Sequence, residues 1–116
     1  MRRGDLYWVE FEPVRGSEAG KTRPAVIVSN DAANRSIQRA GRGVLTVVPI
    51  TSNVSNVYPF QVLLPAGDGG LTVDSKAQAE QVRAVAVDRL GRRVGTLPPA
   101  ALANIDEALR LHLDLA

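Results

Sequence analysis

The chain has 116 residues, of which 45% are apolar and 22% charged. Length and composition predict one soluble globular domain over residues 1–116. There is no cysteine and a single histidine, His112, which excludes disulfide scaffolds, thiolate metal sites and multi-histidine metal centres. No apolar run approaches the roughly 20 residues that span a bilayer, and no apolar segment follows the N-terminal arginines. We therefore expect a cytoplasmic protein with no membrane partner.

Basic side chains concentrate in two stretches, although the net charge is only +2. Residues 15–42 hold six basic and two acidic residues, a net +4, and residues 83–93 hold four basic and one acidic residue, a net +3. Twelve of the 14 basic residues are arginine, whose planar guanidinium matches the oxygens of a phosphate. The distribution suits a surface that binds a polyanion, but charge alone favours an ordinary solvated surface.

Short apolar, β-branched and aromatic segments, separated by turn residues, predict a run of strands. These strands are expected at residues 6–11, 25–29, 44–50 and 60–64. The segment 76–87 is ambiguous because its alanines suit a helix, but its valines at 82, 85 and 87 favour a fifth strand. A long polar loop at 14–23 and a second loop at 51–58 connect these elements.

Two segments predict helices. Residues 31–39 follow Asn30 and Asp31, either of which suits the N-cap position. The second helix begins at Pro98–Pro99, where a missing N–H costs nothing, and its apolar residues recur at helical spacing at 102, 105, 109 and 112/113.

Within the C-terminal helix, Asp106 and Arg110 stand at i, i+4 and are expected to pair. His112 lies on the apolar side, so we expect a buried or interface residue rather than a catalyst. Short strands with glycine-rich turns, closed by one amphipathic helix, predict a mostly β fold in the form of a small, strongly bent barrel.

Several segments, taken in order along the chain, resemble one family. They are residues 3–11 (RGDLYWVEF), Gly-Ser-Glu at 16–18, 23–29 (RPAVIVS), 48–52 (VPITS) with 58–60 (YPF), and 74–90, followed by the closing helix. Together they resemble the MazF/PemK ribonuclease toxins. The resemblance implies an SH3-like barrel of the PemK/CcdB type that forms a homodimer. It also implies a sequence-specific, metal-independent endoribonuclease for single-stranded RNA, which needs no cofactor, and a cognate antitoxin whose acidic C-terminal tail covers the active face.

The resemblance assigns catalysis to Arg23 and Thr51, and Glu18 is the nearest candidate general base by sequence. Metal-free cleavage uses the 2′-hydroxyl of the RNA as nucleophile and leaves a 2′,3′-cyclic phosphate and a 5′-hydroxyl. Because arginine stays protonated in proteins, we assign Arg23 to charge stabilisation at the phosphorane rather than to base catalysis. The hydroxyl of Thr51 suits a hydrogen bond to phosphate or a proton relay.

Each of these residues also has a purely structural interpretation. Arg23 would pair with a carboxylate or cap a loop carbonyl, Thr51 would cap a turn, and Glu18 would be solvated. One position departs from the family pattern, because Ala19 stands where the family often has glutamine after Ser-Glu. Any role of that side chain in holding the loop or the RNA is therefore absent here.

The loops 14–22 and 51–58 flank the two catalytic positions and are expected to line the RNA channel. Their polar side chains and one aromatic ring suit the recognition of unpaired bases. The candidate RNA-binding residues are Lys21, Ser52, Asn53, Asn56, Tyr58, Gln81 and Arg83. Trp8 is expected in the core or in a dimer interface. For Gln81 and Arg83, a sheet-surface pair is an equally good interpretation.

Two other functions fit the same fold class. A CcdB-type gyrase poison needs no Arg/Thr site, but that type ends in a Trp-Gly-Ile-like tail, whereas this chain ends in residues 113–116 (LDLA). A non-catalytic RNA- or peptide-binding barrel explains the arginines but makes the Arg23/Thr51 pairing a coincidence. Under the toxin hypothesis, an acidic antitoxin segment laid across residues 15–42 competes with RNA for the same guanidinium groups.

Overall fold

The structure, a computed structural model, describes residues 1–11, 16–17 and 21–116. This part of the chain forms seven strands and two α-helices, so the predicted mostly β fold with a C-terminal helix is confirmed. In chain order they are β1 (Asp5–Glu10), β2 (Thr22–Ile27), α1 (Asp31–Ala40), β3 (Val44–Thr51), β4 (Gln61–Leu64), β5 (Ser75–Gln78), β6 (Arg83–Ala86), β7 (Leu90–Thr96) and α2 (Pro99–Leu113).

The strands pair antiparallel in the order β4–β5–β3–β2–β1–β7, and β6 pairs with β3. Because β4 and β7 end this path, the pairings among the described residues leave the sheet open, and the predicted barrel is barrel-like rather than closed. No helix in the described part of the chain is both long and apolar enough to cross a membrane.

Strand β3 carries two cores, one on each face of the sheet. Val48 and Ile50 pack in a core that includes Ile105 of α2. Leu45 and Val47 pack in a second core with residues of β1 and β2. Because each fully buried side chain of this size stabilises the fold by about 1.5–3 kcal/mol, the alternation along this central strand keeps both layers in place.

Helix α1 begins where the β2–β3 connection supplies a cap. Asn30, rather than Asp31, is the N-cap, and its side-chain oxygen accepts from the Ala33 N–H at 2.9 Å. The helix ends at Gly41, which adopts a left-handed conformation with φ 71° and donates its N–H to the Ile37 carbonyl.

Arg3 ties the N-terminus to α2. Its Nε donates to the Val28 carbonyl at 2.9 Å and its Nη2 pairs with Asp106 at 2.6 Å. The expected Asp106–Arg110 pair is therefore wrong, because Asp106 faces the N-terminal arginine and Arg110 pairs with Glu107 instead. The Arg3–Asp106 contact between distant parts of the chain forms in place of the local i, i+4 pair, which would contribute only about 0.2–0.5 kcal/mol.

Three other predictions differ from the structure. Strand β2 begins and ends earlier than the predicted 25–29. The single strand expected over 76–87 is two strands, separated by a 3₁₀ turn at Ala79–Gln81. Strand β7 was not predicted, because it lies at one end of the sheet with much of its length exposed and so lacks an apolar alternation.

Gly95 of β7 and the glycines of the turn at 67–70 allow that turn to lie directly against β7. A Cβ at Gly95 would sit 2.2 Å from the carbonyl oxygen of Gly69, whereas a Cβ at Gly91 of the same strand would meet its nearest atom, the Trp8 carbonyl oxygen, at 3.5 Å. This close approach brings the segment that follows the turn to the edge of the sheet.

We therefore expect Gly95→Ala to lower the free energy of unfolding by about 1–3 kcal/mol, since neither backbone can yield cheaply. Gly91→Ala is the matched control and should change it by less than about 0.5 kcal/mol. Urea unfolding at equal protein concentration measures both, and equal losses from the two variants would contradict the packing argument.

Candidate active site

The register of the sheet brings Arg23 and Thr51 to the same face. Ala25 of β2 pairs with Pro49 of β3, and side chains alternate between faces along each strand. This register, extended by two residues beyond the recorded pairs, puts Arg23 opposite Thr51. Arg23 also pairs with Val9 on β1. The two predicted catalytic residues thus lie on neighbouring strands at the same end of the sheet.

A surface cavity of about 460 Å³ includes both residues in its lining. Three of the predicted RNA-binding residues, Lys21, Ser52 and Asn53, line it too. The structure therefore brings together five of the candidate residues that the sequence analysis drew from the two flanking loops and the ends of β2 and β3.

The cavity also contains residues that the sequence analysis did not assign to it. Trp8, expected in the core or a dimer interface, is half-buried in its lining beside Pro24, its partner on β2. Arg92 of β7 lines the cavity, as do residues 70–73. Arg92 belongs to the basic stretch 83–93, but the sequence analysis did not connect it with Arg23 and Thr51, because its strand was not recognised.

Thr51 also caps a turn. Its Oγ1 accepts a hydrogen bond from the Asn53 N–H at 3.2 Å, and the Asn53 side-chain oxygen accepts in turn from the Ser55 N–H at 3.2 Å. The structural and functional interpretations of Thr51 are compatible. A hydroxyl that accepts through oxygen keeps its own hydrogen to donate, and the turn fixes where that oxygen lies.

Lys76 is a site residue that the sequence analysis missed. It pairs with Thr51 across β3 and β5 and is only 7% exposed. Its Nζ donates to the Asn56 carbonyl at 2.5 Å and lies 5.8 Å from the centre of the Tyr58 ring. Lysine is rarely this buried, so a lysine inside a predicted strand was the available signal. Lys76 joins the 51–58 loop to the strand beside Thr51.

The other predicted RNA-binding residues do not line the cavity. Asn56 and Tyr58 lie in the part of the 51–58 loop that Lys76 contacts. The Tyr58 ring stacks on Phe60 with 5.5 Å between the ring centres. Gln81 donates from Nε2 to the Ser17 carbonyl at 3.2 Å. Glu18, the candidate general base, lies outside the described residues.

Arg83 shares the sheet face of Arg23 and Thr51. It pairs with Val47 of β3, which alternation places on that face, and its guanidinium lies 5.4 Å from the centre of the Phe11 ring. The guanidinium is thus carried by the sheet itself, on the face of the two predicted catalytic residues, rather than by a solvated loop.

Two buried oxygen acceptors belong to the segment from β5 to the 3₁₀ turn at Ala79–Gln81. The Glu80 carboxylate accepts from Gln61 Nε2 at 2.7 Å through one oxygen. In the part of the chain that the structure describes, its other oxygen and the Gln78 side-chain oxygen are buried without a hydrogen-bond partner. The β3–β5 register extended by one residue puts Gln78 opposite Pro49. Buried acceptors of this kind are uncommon in proteins and suit a ligand that donates N–H groups.

Among the described residues, no group of three or more His, Cys, Asp and Glu side chains is arranged to hold a metal ion. Of the two places expected for His112, the buried one is wrong, because the residue is exposed in the single chain; a place in an interface stays a prediction. Its ring lies 6.4 Å from that of Phe60, at the edge of an apolar surface.

Comparison with known proteins decides the family. The model of the PemK-like, MazF-like toxins of type II toxin–antitoxin systems matches residues 2–113. The chain belongs to this family. Endoribonuclease MazF9 of Mycobacterium tuberculosis is 61% identical over 115 residues, which cover 99% of this chain and 98% of that protein. The resemblance predicted from the sequence is therefore confirmed.

Solved structures of toxins from Deinococcus radiodurans share the fold. MazF in crystal form I superposes with a TM-score of 0.81 at 30% identity, covering 98% of this chain and 96% of that one. A MazE–MazF structure (form II) gives 0.72 at 28% identity, covering 100% and 97%. The toxin described here thus has both the sequence and the architecture of the family.

The Lys76 contacts predict a local effect of its removal. In Lys76→Met the carbon stem is kept and the hydrogen bond to Asn56 is lost. Losing that hydrogen bond destabilises the fold, but the variant no longer buries an ammonium group. These two effects oppose each other, so the free energy of unfolding should change by less than about 1 kcal/mol. Amide hydrogen exchange over residues 53–58 should accelerate by about tenfold.

Hydrogen exchange followed by mass spectrometry measures this effect, with Lys21→Met as the control because Lys21 is exposed and is the only other lysine. Unchanged exchange in Lys76→Met would show that the loop does not depend on this lysine.

Proposed function

We propose that this toxin is a sequence-specific endoribonuclease that cuts single-stranded RNA in the cytoplasm without a metal ion. The 2′-oxygen loses its proton and attacks the adjacent phosphorus, the bond from phosphorus to the 5′-oxygen breaks, and the 5′-oxygen takes a proton. The products carry a 2′,3′-cyclic phosphate and a 5′-hydroxyl. The observation that carries the proposal is that Arg23 and Thr51 share one cavity and one sheet face.

The two residues have complementary roles in this reaction. The Arg23 guanidinium donates hydrogen bonds to the non-bridging phosphorane oxygens, where negative charge develops. The Thr51 hydroxyl donates to a phosphate oxygen or passes a proton to the departing 5′-oxygen. Glu18 remains our candidate for the base that receives the 2′-proton.

Base recognition is assigned to the surroundings of the cavity. Ser52 and Asn53 offer hydrogen bonds inside it, and the Trp8 ring is available for base stacking there. The unpartnered acceptors of Gln78 and Glu80 suit the N–H groups of a base edge. On this proposal Asn56, Tyr58, Gln81 and Arg83 contact nucleotides that flank the cut.

A cognate antitoxin is the proposed protein partner. One of the two Deinococcus radiodurans structures compared above is a MazE–MazF structure. The cationic side chains at the cavity, Lys21, Arg23 and Arg92, are complementary to an acidic C-terminal tail. Such a tail blocks RNA because both ligands need the same guanidinium groups. Antitoxin binding and RNA cleavage should therefore exclude each other.

Cleavage of a long unstructured RNA in excess EDTA tests the catalytic proposal. The toxin should make discrete cuts that leave cyclic-phosphate and 5′-hydroxyl ends. Arg23→Ala should lower the rate by about 10²–10³, and Thr51→Val by about 10²–10⁴. Thr51→Ser, which keeps the hydroxyl, should retain most of the activity.

The control is Arg110→Ala, since Arg110 is an exposed arginine of α2 that does not line the cavity. Intact RNA with a folded wild-type protein freed of antitoxin, or full activity of Arg23→Ala, would overturn the assignment.

A homodimer is the second part of the proposal, supported by an apolar surface on β4 and α2. Leu63 and Leu111 are 51% and 58% exposed and line one shallow cavity. Leu113 and Leu115 continue the exposed surface toward the C-terminus. Several exposed leucines on neighbouring elements suit an interaction site, and a second copy of the chain covers them in the proposed dimer.

Leu111→Glu should therefore give a monomer, because dimerisation would bury an unpaired carboxylate. Val44→Glu is the control: Val44 is 60% exposed and does not line the cavity of Leu63 and Leu111. Light scattering coupled to size-exclusion chromatography measures the masses. A dimeric Leu111→Glu variant would refute this interface.

A further inference from the structure

A second group of arginines lies on and around helix α1. Arg35 and Arg39 are exposed at i, i+4 on α1, and exposed Arg42 follows just after the C-cap glycine. The i, i+4 spacing places Arg35 and Arg39 on one side of α1, and Arg42 lies just beyond the end of the helix. None of the ion pairs in the described part of the chain involves them.

Arg2 extends this group across the start of the chain. Arg2 and Arg35 line a cavity of about 350 Å³ together with Met1, Asp31 and Gln38. We call Arg2, Arg35, Arg39 and Arg42 the α1 basic surface. The surface holds four guanidinium groups, and the Asp31 carboxylate shares the cavity with two of them, those of Arg2 and Arg35.

Asp31 does not neutralise the surface. Its Oδ1 accepts from the Arg3 backbone N–H at 2.7 Å. That bond is the main reason why the pKa of Asp31 lies below its ordinary value, with further lowering from the Asn34 side chain and the charges of Arg35 and Arg2. The lowered pKa keeps the Asp31 carboxylate ionised, but its single negative charge offsets only one of the four guanidinium charges, so an excess of positive charge remains.

The α1 basic surface is separate from the candidate active site. No residue lines both the cavity of Arg23 and Thr51 and that of Arg2 and Arg35. Strand β2 connects the two regions. The four residue steps from Arg23 to Ile27 rise about 13 Å at roughly 3.3 Å per residue, and α1 begins beyond that point.

We propose that the α1 basic surface is a second binding site for RNA phosphates, which holds substrate outside the sequence that is cut. This inference rests on the proposed ribonuclease function. Arginine forks match phosphate oxygens. The cavity lining contains neither tryptophan nor tyrosine, the aromatic residues enriched at the hot spots of protein interfaces, and the exposed leucines lie on β4, on α2 and at Leu115.

The proposal predicts an effect that depends on RNA length and salt. Each phosphate contact on a single strand contributes about 0.7 to the slope of log affinity against log salt. In the triple variant Arg35→Gln, Arg39→Gln, Arg42→Gln, the slope for a long unstructured RNA should fall by about 2. Its KM should rise by about tenfold or more while kcat stays unchanged. The corresponding triple lysine variant keeps the charge and should retain most of the slope.

The matched substrate is a minimal oligonucleotide that holds only the cut sequence, which the triple variant should cleave like the wild type. Fluorescence anisotropy with long and minimal RNA measures binding independently of cleavage. Equal losses on both RNAs, or none on either, would overturn the second site. So would a triple variant that loses antitoxin affinity but binds RNA normally. If the wild type cleaves no RNA, the proposed function fails, and the anisotropy slopes still decide whether the surface binds RNA.

Discussion

The antiparallel pairing of β2 with β3 is the constraint on which the rest of the molecule depends. Its register, with Ala25 opposite Pro49, sets which side chains of the two central strands share a face. A slip of one residue would turn every side chain of one strand to the other face. Val48 would leave the core under α2, and Thr51 would leave the face of Arg23. Stability and the proposed chemistry thus rest on the same hydrogen-bonded ladder.

The candidate active site combines residues of the sheet with residues of the loop that follows β3. Arg23 and Thr51 belong to strands, while Ser52 and Asn53 follow in a loop that Thr51 itself caps. Lys76 ties the far part of that loop to β5. Mounting the proposed catalytic groups on strands suits a reaction that needs donors placed in advance around a phosphorane.

Much of the fold follows from local patterns, and the failures have physical causes. The strands with apolar alternation and both helices were predicted, because burial on one or two faces leaves a periodic signal. Strand β7 left none, since an edge strand with exposed arginines needs no alternation. Gly91 and Gly95 within it further weakened the signal, although Gly95 is required by the approach of the turn at Gly69.

By itself the sequence determined the fold class, the family and the two residue types proposed for catalysis, because these depend on local patterns and on an ordered set of motifs. Only the tertiary structure decided that Arg23 and Thr51 share a cavity, that Lys76 is buried beside Thr51, and that Asp106 pairs with Arg3. The tertiary structure also places the described basic residues of the stretch 15–42 in two groups, one at the cavity and one on α1 or just after it. The physical reason is that pairing registers and packing between distant segments depend on contacts that no local pattern records.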